Sequence, residues 1–373
     1  MRVDKSKWNN ALIKDSIKTL RVKDAIQKKD YLLTGKYPII SQEKDFISGY
    51  CNTKDNLNEN FGEVVIFGDH TRIVKYVDFD FCIGADGVKV LRPINKLSSK
   101  YLYYFIKWSN IPSNGYSRHF KFLRDIRIQY PEDKSIQQKI AAELDSVQEM
   151  IDGYKAQLAD LDALAQSIFL NMFGDPITNP KGWKLSNILS FVDEITSSKR
   201  IFANEYVKEG IPFYRIKEII EKANQRPISV ELFITEDRYS EIKASFGVPQ
   251  INDLLITAVG SIGEIWIVDN DMPFYFKDGN VIWLKTSKDA VPIYLKEVLF
   301  HIIANTKDKM NGAAYSALTI VKLKAINIPN PPLCFQQQFA KRVKAIEQQK
   351  ELIRQQLADA ETLMAERMQY YFS

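Results

Sequence analysis

The sequence contains few cysteines and histidines and no long hydrophobic run. Its three cysteines, Cys51, Cys82 and Cys334, are far apart, and neither they nor the three histidines have the spacing of a metal site or a catalytic triad. No apolar stretch is long enough to span a bilayer, and the N-terminal residues are polar rather than those of a signal peptide. These absences argue against a disulfide framework, structural zinc and export, and they predict a cytoplasmic protein.

Length and charge set further bounds. The 373 residues, 45% of them hydrophobic, predict two domains with connecting segments rather than one domain. The 51 Lys and Arg residues exceed the 46 Asp and Glu residues, which gives a net charge of +5. This excess is compatible with a polyanionic partner, although many proteins without a nucleic-acid ligand are equally basic.

Two long helical segments resemble one another. Residues 136–141 (IQQKIA) recur 199 positions later as residues 335–340 (FQQQFA), and apolar residues follow both at alternating steps of four and three. That spacing predicts two coiled-coil helices of roughly 40 residues, about 60 Å long. Pro131 and residues 331–332 precede the helices, and Gly174 ends the first one. The predicted seam residues are Ile140, Leu144, Val147, Ile151, Tyr154, Leu158, Leu161 and Ile168, then Phe339, Val343, Ile346, Ile353, Leu357 and Met364, with Lys350 and Arg367 interrupting the second stripe.

The segments that precede the two helices also match, and in the same order. The matched pairs are 35–40 with 210–214, 63–67 with 253–257, 86–91 with 278–284, 101–105 with 294–299, and 114–117 with 311–316. Preserved order indicates a tandem duplication. Within each copy, β-branched and aromatic runs bounded by turn residues predict strands, for example at 64–67, 72–77, 88–91 and 124–129, with one short helix at 100–108 and its counterpart at 292–303.

The sequence therefore predicts an α+β fold in which two mostly-β globular domains are separated by two long antiparallel coiled-coil helices. The duplication predicts a pseudo-two-fold relation between the copies. The predicted boundaries are residues 1–131 for the first domain, 132–174 for the central helix, 175–332 for the second domain and 333–373 for the distal helix.

Catalytic motifs are not found. Residues 330–333 (NPPL) are similar to the Asn-Pro-Pro-aromatic motif of amino-methyltransferases, but Leu333 cannot stack on a flipped base and no glycine-rich cofactor loop precedes it. Residues 132–134 (EDK) lack the partner acid of a nuclease site, and there is no Walker motif for ATP. We predict no catalytic residue, no metal ion and no cofactor.

Two domains on a stiff spacer suit the reading of two half-sites on a DNA duplex, because half-site spacing mirrors the spacing of the protein. Base and phosphate contacts need basic or amide side chains on loops. Three loops recur in both copies, and residues 118–127 form the clearest basic cluster. The DNA-binding candidates are Ser41, Gln42, Lys44, His70, Arg72, Asn114, Tyr116, Arg118, His119 and Lys121 in the first domain, and Lys199, Arg200, Arg215, Lys217, Ser261, Asn311, Tyr315 and Ser316 in the second. For any one of them, an ordinary solvated loop residue is the alternative.

Three motifs carry a family resemblance. Residues 169–176 (FLNMFGDP), 179–185 (NPKGWKL) and 331–337 (PPLCFQQ), in this order of domains and helices, resemble the specificity subunit of Type I restriction-modification systems. The resemblance covers nearly the whole chain, although residues 7–10 (KWNN) lack the Pro-Lys-Gly-Trp that opens the second domain.

The resemblance implies a non-catalytic subunit with two target recognition domains. Each would read one half of a bipartite, asymmetric site on double-stranded DNA, and the helices would set the spacing. Two methyltransferase subunits would dock on the helices to direct DNA methylation, and motor-nuclease subunits would complete the restriction complex. Two alternatives remain at this point: a single-chain enzyme that modifies or cleaves DNA, and a coiled-coil adaptor that does not bind DNA.

Overall fold

The computed structural model describes residues 3–84, 87–112, 115, 117–309 and 317–373. The chain divides into two compact units. Unit 1 contains Met1–Gln157 and Ile353–Ser373, and unit 2 contains Leu158–Leu352. Each unit therefore holds one globular part, a section of the first long helix and a section of the second.

Unit 1 consists of short strands with three short helices. Its strands are β1 (Asn9–Leu12), β2 (Ile17–Thr19), β3 (Tyr37–Ile40), β4 (Gly49–Cys51), β5 (Leu57–Asn58), β6 (Val64–Gly68), β7 (Val74–Val77), β8 (Phe81–Ile83), β9 (Val88–Pro93) and β10 (Arg127–Tyr130). Its short helices are α1 (Ile13–Ser16), α2 (Ser99–Trp108) and α3 (Phe120–Arg124), and the long helix α4 (Lys134–Phe173) follows. The strand predicted at 124–129 thus begins three residues late, because Arg124 ends α3.

Unit 2 contains the corresponding elements and two additional helices. Its strands are β11 (Leu185–Asn187), β12 (Val192–Thr196), β13 (Ile211–Tyr214), β14 (Phe233–Ile234), β15 (Leu254–Thr257), β16 (Ile265–Ile267), β17 (Tyr275–Phe276), β18 (Val281–Thr286) and β19 (Asn327–Pro329). Its helices are α5 (Ile216–Ala223), α6 (Glu236–Ser245), α7 (Pro292–Lys309), α8 (Ile320–Lys324) and the long α9 (Leu333–Phe372).

The larger antiparallel sheets of the two units have the same topology. An antiparallel sheet has the order β2-β9-β6-β7 in unit 1 and β12-β18-β15-β16 in unit 2. A second sheet contains a parallel pair, β3 with β8 in unit 1 and β13 with β17 in unit 2. The first and last strands of each globular part also pair, β1 with β10 and β11 with β19. The predicted internal repeat is confirmed.

The strand register corrects one sequence match. Val65 lies opposite Leu91, and Leu254 lies opposite Leu284, so Val65 and not Val64 is the counterpart of Leu254. The match of 63–67 with 253–257 is therefore wrong by one residue. In a strand such a shift moves every side chain to the other face.

Equivalent aromatic residues anchor the long helices in each unit. The Tyr101 hydroxyl donates to the Gln129 carbonyl at 2.8 Å, and the Phe372 ring lies 5.3 Å from the Tyr101 ring, edge to face. In unit 2 the Tyr294 hydroxyl donates to the Pro329 carbonyl at 2.7 Å, and the Phe173 ring lies 4.8 Å from the Tyr294 ring. The last residues of α9 thus belong to the core of unit 1, and the last residues of α4 belong to that of unit 2.

Both long helices have 40 residues, which corresponds to about 60 Å each. In unit 1 they run antiparallel, because Tyr371 Oη lies 2.7 Å from Glu143 Oε2 whereas Lys155 Nζ lies 3.1 Å from Glu361 Oε1. The seam residues Ile140, Leu144, Val147, Ile151, Phe339, Val343, Ile346 and Met364 are buried. Tyr154, Leu158, Leu161, Ile168, Ile353 and Leu357 are half-buried. The predicted fold class, α+β with two similar globular parts and two long antiparallel helices, is confirmed.

Lys350, one of the two residues that interrupt the seam stripe, is only 8% exposed. Its Nζ lies 2.7 Å from Asp162 Oδ1 and 2.8 Å from Glu347 Oε1 within unit 2. Arg367, the other interruption, lies 3.2 Å from Glu143 in unit 1. A buried charge is tolerated when it is paired and hydrogen-bonded, so acids on the helices accommodate both breaks in the stripe.

A buried glutamine near the start of each long helix joins that helix to its globular part. The Gln137 amide donates to the Lys96 and Pro131 carbonyls and accepts from the Ser98 N–H. Its counterpart Gln336 donates to the Pro331 carbonyl at 2.9 Å. At the far end of α4, Gly174 has φ +78°, the left-handed conformation of the predicted C-terminal cap. In the part of the chain that the structure describes, no helix has an apolar stretch that could cross a membrane.

Candidate nucleic-acid interface

In unit 1, the loop after β3 meets the β6–β7 hairpin turn. The His70 N–H donates to Gln42 Oε1 at 3.2 Å, and the Thr71 hydroxyl donates to the Gln42 carbonyl at 2.8 Å. Gly87 lies directly beside both, because a Cβ on this residue would come within 2.8 Å of the His70 ring and 3.3 Å of Gln42 Nε2. Two of the three loops predicted from the sequence are therefore in contact.

The third loop joins the same hairpin turn. The His119 N–H donates to the Asp69 carbonyl and the Phe120 N–H donates to Asp69 Oδ1, both at 2.8 Å. Arg72, which holds a positive φ of 61°, donates from Nη1 to the Ile111 carbonyl at 2.8 Å. We call this convergence of residues 41–44, 69–72 and 111–121 the loop edge of unit 1, with residues 113, 114 and 116 outside the description.

The cations at the loop edge of unit 1 face solvent. Lys44, Arg72, Arg118 and Lys121 are exposed. Lys121 lies with its Nζ 4.8 Å from the Phe122 ring. Among the described residues, no acidic side chain forms an ion pair with Lys44, Arg118 or Lys121. This edge therefore presents uncompensated positive charge, as contact with DNA phosphates requires.

Two of the candidates at this edge are buried instead. Ser41 and His119 are each 1% exposed. The Ser41 hydroxyl lies 2.6 Å from the Ser48 hydroxyl, and His119 Nδ1 lies 3.0 Å from the Asp69 carbonyl. The Ser41 hydroxyl therefore bonds within its own loop and the His119 ring bonds to the hairpin turn, so neither side chain faces solvent. The candidates Asn114, Tyr116, Asn311, Tyr315 and Ser316 lie outside the described residues.

Unit 2 has an equivalent hairpin. The Gly263 N–H donates to the Thr257 carbonyl at 2.9 Å, as the Arg72 N–H donates to the Gly68 carbonyl in unit 1. Gly263 has a φ of +85°, so it occupies the left-handed position that Arg72 holds in the other copy. Ser261 is exposed in this turn. We call this turn, together with residues 215–217, which correspond to the start of the loop after β3, the loop edge of unit 2.

Three of the four basic candidates of unit 2, Arg200, Arg215 and Lys217, are paired with acids. Arg200 Nε lies 2.9 Å from Asp278 Oδ2, and Lys277 Nζ lies 2.9 Å from the other oxygen of that carboxylate. Burial alone would raise the pKa of Asp278, but hydrogen bonds from Lys277 and Arg200 bring it below its ordinary value. Lys199 is exposed, and its backbone N–H donates to the Tyr275 hydroxyl at 2.7 Å.

Arg215 is the most constrained cation of the set. Its backbone N–H and its guanidinium both donate to the buried carboxylate of Glu218, at 2.8 Å in each case. A second acid, Glu231, lies 3.0 Å from Arg215 Nη2 and 3.7 Å from Lys217 Nζ. The hydrogen bond to Glu218 raises the pKa of Arg215, so this guanidinium is charged at all accessible pH values.

Helix α5 and the acids around it were not predicted from the sequence. Asn224, just past the end of α5, donates to Glu264 of the hairpin at 3.3 Å, and Lys222 Nζ lies 5.4 Å from the Trp266 ring. These contacts place α5 alongside the hairpin. Glu218 at the third position of α5 accepts from the Arg215 N–H, which is half of a capping box, but Arg215 lacks the acceptor side chain that would mark the helix start in the sequence. Nothing in the local sequence indicates the contact with Glu231.

A buried lysine supports the first loop of unit 1. Lys75 on β7 is 4% exposed, and its ammonium donates to the Asp45 and Phe46 carbonyls, which belong to the segment that follows Lys44. Burial lowers the pKa of Lys75 to about 8, although the nearby acid Asp45 acts in the opposite direction. The loop that carries Gln42 and Lys44 is therefore fixed to the sheet by one titratable group.

Within the described ranges, no group of three or more His, Cys, Asp or Glu side chains is placed to hold a metal ion. The geometry at the loop edges offers hydrogen-bond donors, amides and cations, which are the groups that bind phosphates and base edges.

Comparisons with known proteins agree with this architecture. The profile of the Type I restriction modification DNA specificity domain matches residues 5–162 and again residues 180–362. The chain belongs to this family, in which it carries two copies of the domain.

Sequence relatives carry the same description. A putative type I restriction enzyme specificity subunit of Haemophilus influenzae is 24% identical over 324 residues, which cover 78% of this chain and 74% of the relative. A putative type I restriction enzyme specificity subunit of Methanocaldococcus jannaschii is 23% identical over 356 residues, covering 86% and 77%. The family resemblance predicted from the motifs is confirmed, and the chain is a Type I restriction-modification specificity protein.

Solved structures share the fold. The S subunit of a Type-I restriction-modification system from M. genitalium superposes with a TM-score of 0.61 at 16% identity, covering 100% of this chain and 98% of that one. A chain from a structure on complex assembly and conformational transition of the type I R-M system gives a TM-score of 0.53 at 16% identity, covering 98% and 97%. At these identities the comparison establishes the fold.

Proposed function

We propose that this chain is the DNA-reading subunit of a Type I restriction-modification complex and that each globular part reads one half of a bipartite, asymmetric site. The observation that carries the proposal is the repetition of one loop framework with different side chains. The hairpin and the parallel strand pair recur in both units, but the segment after the first parallel strand is a loop with Gln42 in unit 1, whereas in unit 2 it begins helix α5 with Ile216. Equal frameworks with unequal side chains suit two different half-sites.

The helices would set the distance between the two half-sites. Their buried seam leaves the outward faces available, and large apolar side chains are exposed on these faces, among them Met150, Leu164 and Leu352. Exposed apolar groups support docking of other subunits. In the proposal two methyltransferase subunits bind there and supply the adenine-modifying chemistry, and motor-nuclease subunits supply cleavage, so this chain contributes recognition alone.

A methylation map tests the proposal in the cell. Adenine methylation is mapped across the genome with the gene intact, deleted and restored. We expect one bipartite motif to lose its methylation on deletion and to regain it on restoration, while other methylated motifs stay constant. An unchanged map, with the companion methyltransferase demonstrably expressed, would contradict the assignment.

A further inference from the structure

One exposed carboxylate in unit 2 bridges two cations that DNA could use. Glu231 Oε2 lies 3.0 Å from Arg215 Nη2, and Glu231 Oε1 lies 3.7 Å from Lys217 Nζ. Each carboxylate oxygen thus faces a different positive group, as the two non-bridging oxygens of a phosphodiester would. The Glu231 side chain is 56% exposed, so it can leave the cations without opening the core.

The other acid at this place has a different role. Glu218 is 2% exposed and contacts the Arg215 guanidinium through both carboxylate oxygens, at 2.8 and 3.3 Å. Burial would raise the pKa of Glu218, but hydrogen bonds from Arg215 hold it below its ordinary value. Glu218 therefore fixes the guanidinium in place, and Glu231 is the exchangeable partner.

Arg215 and Lys217 belong to the loop edge of unit 2 because of their position in the internal repeat. Ile40 and Tyr214 occupy equivalent places in the two parallel strand pairs, so Arg215 corresponds to Ser41. In unit 1 the residue after Ser41, Gln42, is bonded to the hairpin turn. The segment that contains Arg215 and Lys217 is thus the unit 2 version of a loop-edge segment.

We propose that Arg215 and Lys217 form a phosphodiester-binding site at the loop edge of unit 2 and that Glu231 occupies this site when DNA is absent. The inference rests on the proposed function of the chain. An exposed ion pair contributes little net stability, so a DNA phosphate can displace the carboxylate. Displacement costs the same on every sequence, but only the correct half-site offers base contacts that offset it. Glu231 would therefore suppress binding to unrelated DNA.

The test uses Glu231→Gln in the complex with its methyltransferase subunits. Affinity for a duplex that lacks the recognition site is measured by fluorescence anisotropy over a range of salt concentrations. We expect binding to tighten about 2–5-fold at low salt, and the slope of log affinity against log salt to steepen by about one, because one more phosphate is neutralised. In the Glu231→Gln background, Lys217→Gln should abolish this gain.

The matched control is Glu194→Gln, since Glu194 is 52% exposed and also pairs with a lysine, Lys285, at 2.6 Å. It removes the same charge from unit 2 and should leave the salt slope unchanged. If Glu231→Gln behaves like Glu194→Gln while the wild-type complex binds DNA in a salt-dependent way, the phosphate site is refuted and the proposed function stands. If the wild-type complex does not bind DNA at all, both the phosphate site and the proposed function are contradicted.

Discussion

The two loop edges share a framework but differ in how their charges are balanced. At the edge of unit 1, Arg118 and Lys121 face solvent without an acidic partner among the described residues. At the edge of unit 2, Arg215 and Lys217 are held by Glu218 and Glu231. After duplication, the framework residues kept their contacts while the surface residues diverged. In unit 1 a polyanion could therefore contact Arg118 and Lys121 directly. In unit 2, Glu231 would first have to leave Arg215 and Lys217.

The two units should lose similar stability when the aromatic residues that anchor the long helices are truncated. Phe372→Ala should destabilise unit 1 and Phe173→Ala should destabilise unit 2, each by about 3–5 kcal/mol, because truncating a buried Phe leaves a cavity. Hydrogen exchange of the β1–β10 and β11–β19 amides reports each unit separately. Equal loss of protection in both units from either variant would show that the anchors are not local to their units.

The buried glutamines should give a smaller and unequal effect. Gln137→Ala removes the partners of Lys96, Pro131 and Ser98, which leaves buried backbone groups unsatisfied and should cost about 1–3 kcal/mol. Gln336 has its good bond to Pro331 and a long one of 3.4 Å to Asn330, so Gln336→Ala should cost less. Urea unfolding followed by the same amides measures both. A larger cost at Gln336 would contradict the ranking.

Removing a cation from the loop edge of unit 1 should lower DNA affinity, whereas removing one from the loop edge of unit 2 should lower protein stability. Arg118→Ala should weaken DNA binding by the assembled complex by about 1–3 kcal/mol, about 5- to 150-fold in affinity, with no loss of thermal stability, because the side chain is exposed. Arg215→Ala should instead lower the stability of unit 2, because it leaves the buried carboxylate of Glu218 unpaired. Anisotropy titration and thermal unfolding of both variants are compared. Unchanged affinity for Arg118→Ala at moderate salt would remove this cluster from the interface.

A further expected effect is a pH dependence confined to unit 1, which appears only above pH 8. Because the pKa of Lys75 is about 8 in the folded protein and about 10.4 in an unfolded chain, the unfolded state binds more protons between these values. The contribution of Lys75 to stability should therefore rise with pH across this window and stay constant below pH 8. The stability difference between wild type and Lys75→Met, measured against pH by hydrogen exchange of β7, checks the sign. A difference that falls as pH rises would contradict it.

The large features of the fold could be predicted because their signals are local. A four-three apolar pattern over 40 residues has few structural solutions, so the two helices followed from the sequence directly. The register of the central strands, in contrast, could not be predicted from the sequence. β6 and β15 are buried on both faces, so their apolar runs show no alternation that could distinguish one face from the other.

Only part of the interface could be predicted from the sequence. Turn residues and basic residues marked the loops, but the buried position of His119 depends on Asp69, which is 50 residues away in the sequence. Glu231 lies 16 residues from Arg215, in the segment just before β14, and no spacing rule connects them. Charge pairing across loops is a property of the folded chain, and it distinguishes the two edges more than composition does.

A chimeric chain shows whether each globular part reads its half-site independently of the other. The predicted first domain, residues 1–131, is replaced by a copy of the predicted second domain, residues 175–332, and adenine methylation is mapped in cells that contain the methyltransferase. We expect a new symmetric motif made of two copies of the half-site read by unit 2. Continued methylation of the original asymmetric motif would contradict it, because the replaced domain would then not be the source of the lost half.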